Sequence, residues 1–304
     1  MTTPLIGAIE AGGTKFVVAV AAADGTILAQ ERLPTLSAAE TMPQVLAFFR
    51  RAAATHGPIG GIGVASFGPL DIHPASPAYG TITTTPKPGW PGTCFGAWLA
   101  ELGVPVVVDT DVNGAALGEW QSGAGQGCET LAYTTVGTGI GTGIIHAGRP
   151  RAGFTHYEAG HIRVPHDHAR DPFAGACPYH GDCIEGLAAG PAIKARFGCG
   201  LDDMADPAAA VDLIAGYLAD LAASLVLLHA PDRLIFGGGV MKAPGLMAAL
   251  RRETERRLAG YVVHPRIDPG LERYIASPGL GDLAGITGAI MLGRQAIARR
   301  ESAA

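Results

Sequence analysis

The feature of this 304-residue chain that most constrains its fold is a strand–turn–strand motif that occurs twice. In the first copy, the apolar segments Leu5–Ile9 and Phe16–Ala21 flank a turn with two glycines and a threonine. In the second, a glycine- and threonine-rich turn over Val136–Thr142 separates two strand-like segments, Thr130–Thr135 and Gly143–His146. Short apolar runs bounded by glycine-rich turns are typical of hairpin strands. The repetition predicts two related α/β halves, each beginning with a hairpin.

The segments between the two hairpins read as alternating helices and strands. Ser37 and Glu40 form a capping-box pattern ahead of an amphipathic helix. The continuous apolar runs Gly61–Ala65 and Val104–Val108 predict buried strands. Asp111 follows the second of these strands and opens a further predicted helix.

These patterns predict a domain boundary near residue 120. Residues 1–120 would form an N-terminal α/β lobe, and residues 121–304 a C-terminal α/β lobe with an irregular insertion at about 147–200. A long helix is predicted over Pro207–His229 within the second lobe. The last helix, over Leu283–Arg299, would pack back on the N-terminal lobe.

Composition and charge limit the class of protein. Hydrophobic residues make up 48% of the chain and charged residues 16%, as in folded globular proteins. The net charge of -5, without a long basic run, argues against nucleic acid as a partner. No secretory signal and no apolar stretch of the roughly 18 residues that span a bilayer stands out. We therefore expect a cytoplasmic protein with neither a nucleic-acid nor a membrane partner.

A cluster of cysteine and histidine predicts a metal site. Cys177, His180 and Cys183 lie within seven residues, and His161 stands sixteen residues before the first of them. Thiolates and imidazoles at such spacing are the ligands that Zn²⁺ prefers. Four protein ligands would close the coordination shell, so we expect a structural zinc ion. The alternative is a set of ordinary loop residues.

Three glycine-rich turns are candidate phosphate-binding sites. The first, Gly12–Lys15, offers backbone N–H groups and the side-chain donors of Thr14 and Lys15. It lacks the Walker A spacing, and a plain hairpin turn is the alternative interpretation. The second, Gly137–Gly143, offers Thr138 but is followed by a strand where a dinucleotide fingerprint requires a helix.

The third turn, Gly237–Gly239, lies between a predicted strand and a predicted helix. Bare backbone there would admit a purine or ribose, and the helix N-terminus would add a positive dipole. Each turn alone is weak evidence. The three in this order predict a nucleotide held between two lobes.

Carboxylates at the end of a predicted strand are candidates for a general base. Asp109 and Asp111 would lie on one side if the strand continued, and either could accept a proton from a hydroxyl as it attacks phosphorus. The alternative role for Asp111 is a helix N-cap. Near the metal cluster, Glu158, His161 and Glu185 offer acceptors for the hydroxyls of a polyol, although a lone surface carboxylate such as Glu158 is usually just solvated.

Taken together, these motifs resemble a known family. Ile9–Lys15, Thr83–Trp90, the aspartate at 111, the Glu-x-Gly-His run Glu158–His161 and the Cys-Pro-Tyr-His-Gly-Asp-Cys run Cys177–Cys183 are similar to the ROK sugar kinases. Within that family they look most like the bacterial ROK-type fructokinases. The similarity extends from Ile6 to the last helix. It implies an actin-like ATPase (ribonuclease H-like) α/β fold with two lobes and an active-site cleft between them, ATP and Mg²⁺ as cofactors, and a homodimer.

The resemblance also implies roles for the matching residues. Asp111 would be the catalytic base. The sugar would be bound by Gly68, Asn113, Glu158, His161 and Glu185. ATP would be bound by Gly12, Gly13, Thr14, Lys15, Thr138, Gly139, Pro191, Gly237, Gly238, Gly239, Val240 and Met241. Zinc would be bound by His161, Cys177, His180 and Cys183.

Two positions depart from the family pattern. Glu10 stands where most of the wider family has aspartate, which leaves open how this longer carboxylate reaches the Mg²⁺ shell. Thr110 stands where asparagine usually precedes the catalytic aspartate. Asp71, shortly after Gly68, is a further possible sugar contact.

The sequence thus predicts an ATP- and Mg²⁺-dependent fructokinase that makes fructose 6-phosphate. Another hexose kinase, for mannose, glucose or N-acetylglucosamine, shares most of the motifs. A zinc hydrolase is suggested only by the spacing of His156, Glu158 and His161, which lacks the adjacent His-Glu of the zincin helix. A sugar-sensing repressor would need a DNA-binding domain ahead of a phosphate turn that here begins near residue 10.

Overall fold

Strands and helices alternate along residues 4–303, the part of the chain that the structure, a computed structural model, describes. In chain order the strands are β1 (Leu5–Ala11), β2 (Lys15–Ala21), β3 (Ile27–Pro34), β4 (Ile59–Ser66), β5 (Val106–Thr110), β6 (Thr130–Val136), β7 (Ile140–His146), β8 (Arg149–Pro150), β9 (Arg233–Gly237) and β10 (Ile275–Ala276). The α-helices are α1 (Ala38–His56), α2 (Phe95–Leu99), α3 (Asp111–Ser122), α4 (Ile184–Ala188), α5 (Gly190–Phe197), α6 (Ala208–His229), α7 (Leu246–Leu258) and α8 (Ala284–Ala303).

The chain divides into two compact units, and each is made of separate segments. The first unit contains the described residues up to Gln121, together with Pro150–His156 and the segment from Asp282 onward. The second contains Ser122–Arg149 and Tyr157–Gly281. Placing Pro150–His156 in the first unit differs from the prediction, which assigned the whole insertion at 147–200 to the C-terminal lobe.

A five-stranded mixed sheet, in the order β3-β2-β1-β4-β5, forms the centre of the first unit. β1 pairs with β2 and β2 with β3 in antiparallel register, whereas β4 and β5 continue the sheet in parallel. On α1, Met42, Val45 and Phe49 are fully buried, as the helical periodicity predicts. The capping box is present too, because the Ser37 N–H donates to Glu40 Oε2 at 3.2 Å.

Glycines let α8 approach the first sheet and α3 at backbone distance. A Cβ atom on Gly63 of β4 would lie 2.0 Å from the Ala289 carbonyl oxygen of α8. A Cβ on Gly288 would lie 1.7 Å from the Gly114 carbonyl oxygen of α3. Only glycine fits such contacts, so these residues set how closely α8 packs.

The second unit is also built on a five-stranded sheet, in the order β10-β9-β6-β7-β8. The helix α6 packs against it, with Ile214, Leu218 and Leu221 almost wholly buried. By length and composition α6 could cross a bilayer, so the expectation that no stretch of the chain is apolar enough was wrong. Its apolar side chains instead belong to the hydrophobic core of this unit, to which α6 contributes 12 of the 33 buried residues.

The second glycine turn is tighter than predicted. β7 begins at Ile140, and Val136 pairs with Ile140, so only Gly137–Gly139 remain as the turn. Ile140 is 3% exposed, and its burial favours strand pairing over a loop although glycine and threonine surround it. The sequence pattern had extended this turn to Thr142.

The third glycine turn is not followed directly by an α-helix. A single 3-10 turn spans Val240–Lys242, Ala243 is extended, and α7 starts only at Leu246. Pro244 explains the interruption, since the residue before a proline is excluded from helical geometry. The predicted helix dipole at Gly237–Gly239 was therefore wrong.

Candidate active site

Asp111 lies at the junction of β5 and α3 in the first unit. The strand ends at Thr110 and Asp111 is the first helical residue, so the strand does not continue through Asp111 as had been considered. The Thr110 Oγ1 accepts from the Asn113 N–H at 3.1 Å and thereby caps α3. Thr110 thus performs the capping role that was the alternative for Asp111. Asp111 is partly exposed as a whole residue, although its carboxyl is buried enough for its pKa to rise.

Burial tunes the carboxylates around this junction. It raises the pKa of Asp111 above its ordinary value, against a hydrogen bond from the Val112 N–H to Oδ1 at 2.9 Å. On β1, burial raises the pKa of Glu10 to about 7; Lys15 opposes this rise and the charge of Asp111 adds to it. A raised pKa suits a carboxylate that must accept a proton near neutral pH.

Glu10 also has the features of a cation ligand. Its Oε2 is buried without a hydrogen-bond partner among the described residues. Gly285 of α8 leaves space for this carboxylate, because a Cβ there would lie 2.5 Å from Glu10 Cδ. A buried oxygen without a partner next to a second negative charge matches the carboxylate ligands that Mg²⁺ takes in phosphate-transfer sites. The residues present therefore fit Mg²⁺.

The first glycine turn connects β1 to β2 beside Glu10. The Gly12 N–H donates to the Lys15 carbonyl at 3.0 Å, and Thr35 Oγ1 donates to the Gly12 carbonyl at 2.8 Å. Nothing lies within 4 Å of a Cβ on Gly13, so this backbone is open to a ligand. Lys87 Nζ donates to the Gly13 carbonyl. The sequence argument missed Lys87, although the Thr83–Trp90 motif contains it.

Two of the predicted sugar-binding residues lie near Asp111 in the first unit. Asn113 is 2% exposed, and its Nδ2 donates to Asp109 Oδ1 at 2.6 Å. Asp109 thus orients the Asn113 side chain and leaves its oxygen free to accept from a hydroxyl. Gly68 makes no hydrogen bond with other described residues, so both its backbone groups are available to a ligand.

The four predicted zinc ligands come together in the second unit. Their ligand atoms all lie within 4.8 Å of one another. The His161 Nδ1 lies 3.7 Å from Cys177 Sγ and 3.5 Å from Cys183 Sγ, and His180 Nδ1 lies 3.6 Å from Cys177 Sγ. Zinc bonded tetrahedrally to sulfur and nitrogen at its usual lengths would separate them by about 3.6 Å. The donor set fits zinc and leaves no open position.

Glu185 connects this cluster to the second glycine turn. Its Oε2 accepts from the Ile140 N–H at 2.9 Å, and its Oε1 lies 3.9 Å from His161 Nε2. His161 thus directs one nitrogen to the thiols and the other towards a carboxylate. Glu158, exposed, precedes the 3-10 helix Ala159–His161 that carries this histidine.

The second and third glycine turns are neighbours within the second unit. Gly238 has a φ of 93°, and a Cβ there would lie 2.4 Å from the Val136 carbonyl oxygen. The Gly190 N–H at the start of α5 donates to the Gly137 carbonyl at 2.8 Å. Pro191, next in α5, and Thr138 belong to this same group of residues. Gly190 was missed because a lone glycine in the sequence does not reveal its packing partner.

His156 does not lie with the zinc ligands. It belongs to the first unit, where its Nε2 accepts from the Leu70 N–H. Hydrolysis at zinc needs an open coordination position. Four Cys/His donors that close the shell without His156 therefore do not favour the zinc hydrolase alternative.

Two mixed five-stranded sheets with glycine hairpins, and a carboxylate at a strand end, define an actin-like ATPase fold. The ROK family model matches residues 6–296, and the chain belongs to the ROK family.

Known proteins resemble the chain over nearly its full length. A fructokinase from Zymomonas mobilis is 45% identical over 294 residues, which cover 95% of this chain and 96% of that protein. The solved ROK hexokinase from Thermus thermophilus has a TM-score of 0.77 at 29% identity and covers 98% of this chain and 99% of its own. A ROK family glucokinase from Streptomyces griseus, solved with glucose and AMPPNP, has a TM-score of 0.73 at 26% identity, covering 96% and 99%.

Proposed function

We propose that the protein is an ATP-dependent fructokinase that converts D-fructose to D-fructose 6-phosphate. The observation that carries this proposal is the 45% identity to a fructokinase over 95% of the chain. The carboxylate of Asp111, whose pKa is raised by burial, agrees with the chemistry that such an enzyme needs.

In the proposed mechanism, Asp111 is the general base. The fructose 6-hydroxyl attacks the γ-phosphorus of ATP, an O–P bond forms, the bond from phosphorus to the ADP oxygen breaks, and Asp111 takes the hydroxyl proton. When bound, Mg²⁺ neutralises charge on the triphosphate. Glu10 is its proposed ligand, because its buried Oε2 has no other partner among the described residues.

The sugar would be recognised by groups that can bond vicinal hydroxyls. In the first unit these are the Gly68 backbone and the Asn113 side chain, which Asp109 orients. In the second unit they are Glu158, His161 and Glu185. Zinc would fix His161 through Nδ1, which leaves Nε2 for a hydroxyl.

ATP would bind on the glycine turns. Backbone N–H groups and nearby donors are what phosphates require. The proposed contacts are Gly12, Gly13, Thr14, Lys15, Thr138, Gly139, Pro191, Gly237, Gly238, Gly239, Val240 and Met241. We also propose that the enzyme is a cytoplasmic homodimer that acts on small molecules and has no nucleic-acid or membrane partner.

Initial rates on fructose, mannose, glucose and N-acetylglucosamine, with ATP and Mg²⁺, test the proposal. Fructose should give the highest kcat/KM, and the product should be fructose 6-phosphate. A higher kcat/KM on another hexose would contradict the fructose assignment and retain a sugar kinase. Absence of phosphoryl transfer to every sugar would contradict the proposed function as a whole.

A further inference from the structure

His156 is a buried histidine that the mechanism above does not use. It is 8% exposed and ends the segment Pro150–His156, which belongs to the first unit although residues from Ser122 to Arg149 belong to the second. A buried imidazole loses its hydration, so it needs hydrogen-bond partners inside the protein.

The imidazole holds a loop that carries a proposed sugar contact. The Leu70 N–H donates to His156 Nε2 at 3.0 Å, and Leu70 is 2% exposed. Water therefore cannot replace the imidazole as acceptor. Because Nε2 accepts this bond, the ring is neutral and carries its proton on Nδ1.

The same ring packs directly against Gly68. A Cβ on Gly68 would lie 3.6 Å from His156 Nε2 and 3.1 Å from the Leu70 nitrogen. Other contacts that hold the loop run from the Phe67 N–H to the Ala11 carbonyl and from both the N–H and the Oγ1 of Thr83 to the Pro69 carbonyl. His156 is the side chain that accepts from the Leu70 N–H, two residues after Gly68.

His156 also lies near the carboxylates at the end of β5. Both Asp109 and Asp111 lie close enough to feel the charge that this imidazole would carry if it were protonated. One side chain therefore contacts the Gly68 loop and lies close to both aspartates, the proposed base among them.

We propose that His156 is a positioning residue for sugar phosphorylation: its Nε2 holds the Gly68–Leu70 backbone so that the acceptor hydroxyl is presented to Asp111. The proposal rests on the sugar kinase function proposed above. Its effect should be on the sugar more than on the nucleotide, since His156 holds the Gly68 loop through the Leu70 N–H.

Two variants separate positioning from simple packing. His156→Leu has a similar volume but no acceptor, so the buried Leu70 N–H loses its partner. We expect KM for fructose to rise at least about tenfold, with KM for ATP within about twofold of wild type.

His156→Gln places an amide oxygen near the Nε2 position and should restore most of the fructose affinity. His56→Leu, at an exposed histidine of α1, is the matched control and should change neither constant.

Hydrogen exchange at the Leu70 amide provides a readout apart from activity. It should be faster in His156→Leu than in wild type and recover in His156→Gln. Equal fructose KM in wild type and His156→Leu would overturn the proposal. So would a rise in both KM values, with loss of thermal stability, that His156→Gln fails to reverse. If the wild-type enzyme phosphorylates no sugar at all, the proposed function fails first, so the two failures are distinguishable.

Discussion

At the residue scale, three neighbouring residues at the end of β5 have three different roles in the candidate site. Thr110 caps α3 through its hydroxyl, Asp109 holds the Asn113 amide, and Asp111 is the first residue of the helix. Because Thr110 satisfies the helix terminus, the Asp111 carboxylate can serve chemistry.

Replacing Asp111 by asparagine should remove catalysis and leave binding intact. We expect kcat on fructose to fall by about 10²- to 10⁴-fold, because the amide cannot accept the hydroxyl proton. Fructose and ATP affinities, measured by titration calorimetry, should stay within a few-fold of wild type. Asp24→Asn, in the exposed turn between β2 and β3, is the control. A kcat near the wild-type value would exclude Asp111 as the base.

Glu10 should make stability depend on pH. Burial raises its pKa from 4.5 to about 7, so between these values the folded state holds a proton that the unfolded chain has released. The contribution of this proton to the free energy of unfolding is therefore fully present below pH 4.5 and is lost as the pH rises through 7. Without Mg²⁺, Glu10→Gln should be more stable than wild type by about 3 kcal/mol at pH 8 and nearly equal to it at pH 4.5.

Urea unfolding at the two pH values measures this difference. Added Mg²⁺ should stabilise the wild type at pH 8 but not Glu10→Gln, because the amide binds the ion poorly. The same stabilisation by Mg²⁺ in both proteins would show that Glu10 is not a ligand.

Sequence reasoning found some of these residues and missed others for physical reasons. Asp111 was found because carboxylates at strand ends are placed where α/β proteins bind ligands. The contacts of Lys87 and His156 join segments that are distant in sequence, to Gly13 and to Leu70. Neither local periodicity nor spacing encodes such contacts, so they became visible only in the folded chain.

At the element scale, the short distances between α3, α8 and β4 depend on glycines. The Gly288 position faces the Gly114 carbonyl at a distance that no Cβ can occupy. This packing joins the helix that begins at Asp111 to the helix whose Gly285 faces Glu10, so a displaced α8 would also disturb the carboxylates of Asp111 and Glu10.

Gly288→Ala should therefore destabilise the protein, although alanine is the better helix former. We expect the free energy of unfolding to fall by at least about 2 kcal/mol, because the helices must move apart. Gly216→Ala in α6 is the matched control, since its Cβ would meet only an arginine side-chain atom at 3.6 Å, and it should be neutral or stabilising. Chemical denaturation of the two variants tests this expectation. If Gly288→Ala is as stable as Gly216→Ala, α8 can shift without a loss of stability.

Elements with continuous apolar runs were well predicted, and the errors lie at glycine-rich junctions. The strands β1 and β4 begin and end within about two residues of their predicted limits, because burial on both faces leaves an unbroken apolar signal. The turn after β6 was drawn too long, since Gly141 and Thr142 look like loop residues but pair in β7. No α-helix begins directly after Gly239, because Pro244 interrupts the segment and α7 starts only at Leu246.

At the scale of the whole molecule, the fold class and the family follow from the order of the motifs along the chain. The motif set identified an actin-like kinase family, which the family match over residues 6–296 confirms. The assignment of Pro150–His156 was beyond sequence reasoning, because an irregular segment without periodicity does not show which core it contacts.

Zinc removal should affect one unit only. In Cys177→Ser we expect zinc content to fall and KM for fructose to rise about tenfold, because His161 loses its anchor. Hydrogen exchange should accelerate over residues 157–200 but not in β1 and β4. Cys199→Ser, partly buried and outside the cluster, is the control. Unchanged metal content, exchange and kinetics in Cys177→Ser would show that the cluster does not bind a structural ion.

The segmented build of the first unit has a consequence for biosynthesis. Its central sheet is translated early, but α8, which covers β4, is translated only after the whole second unit. Small domains usually fold in the order in which they leave the ribosome. Here the second unit is completed while the first sheet still lacks its covering helix. At usual elongation rates, the interval between translation of that sheet and translation of α8 is on the order of ten seconds. During that interval, the glycine-lined face of β4 is the surface of the nascent chain most in need of protection from aggregation.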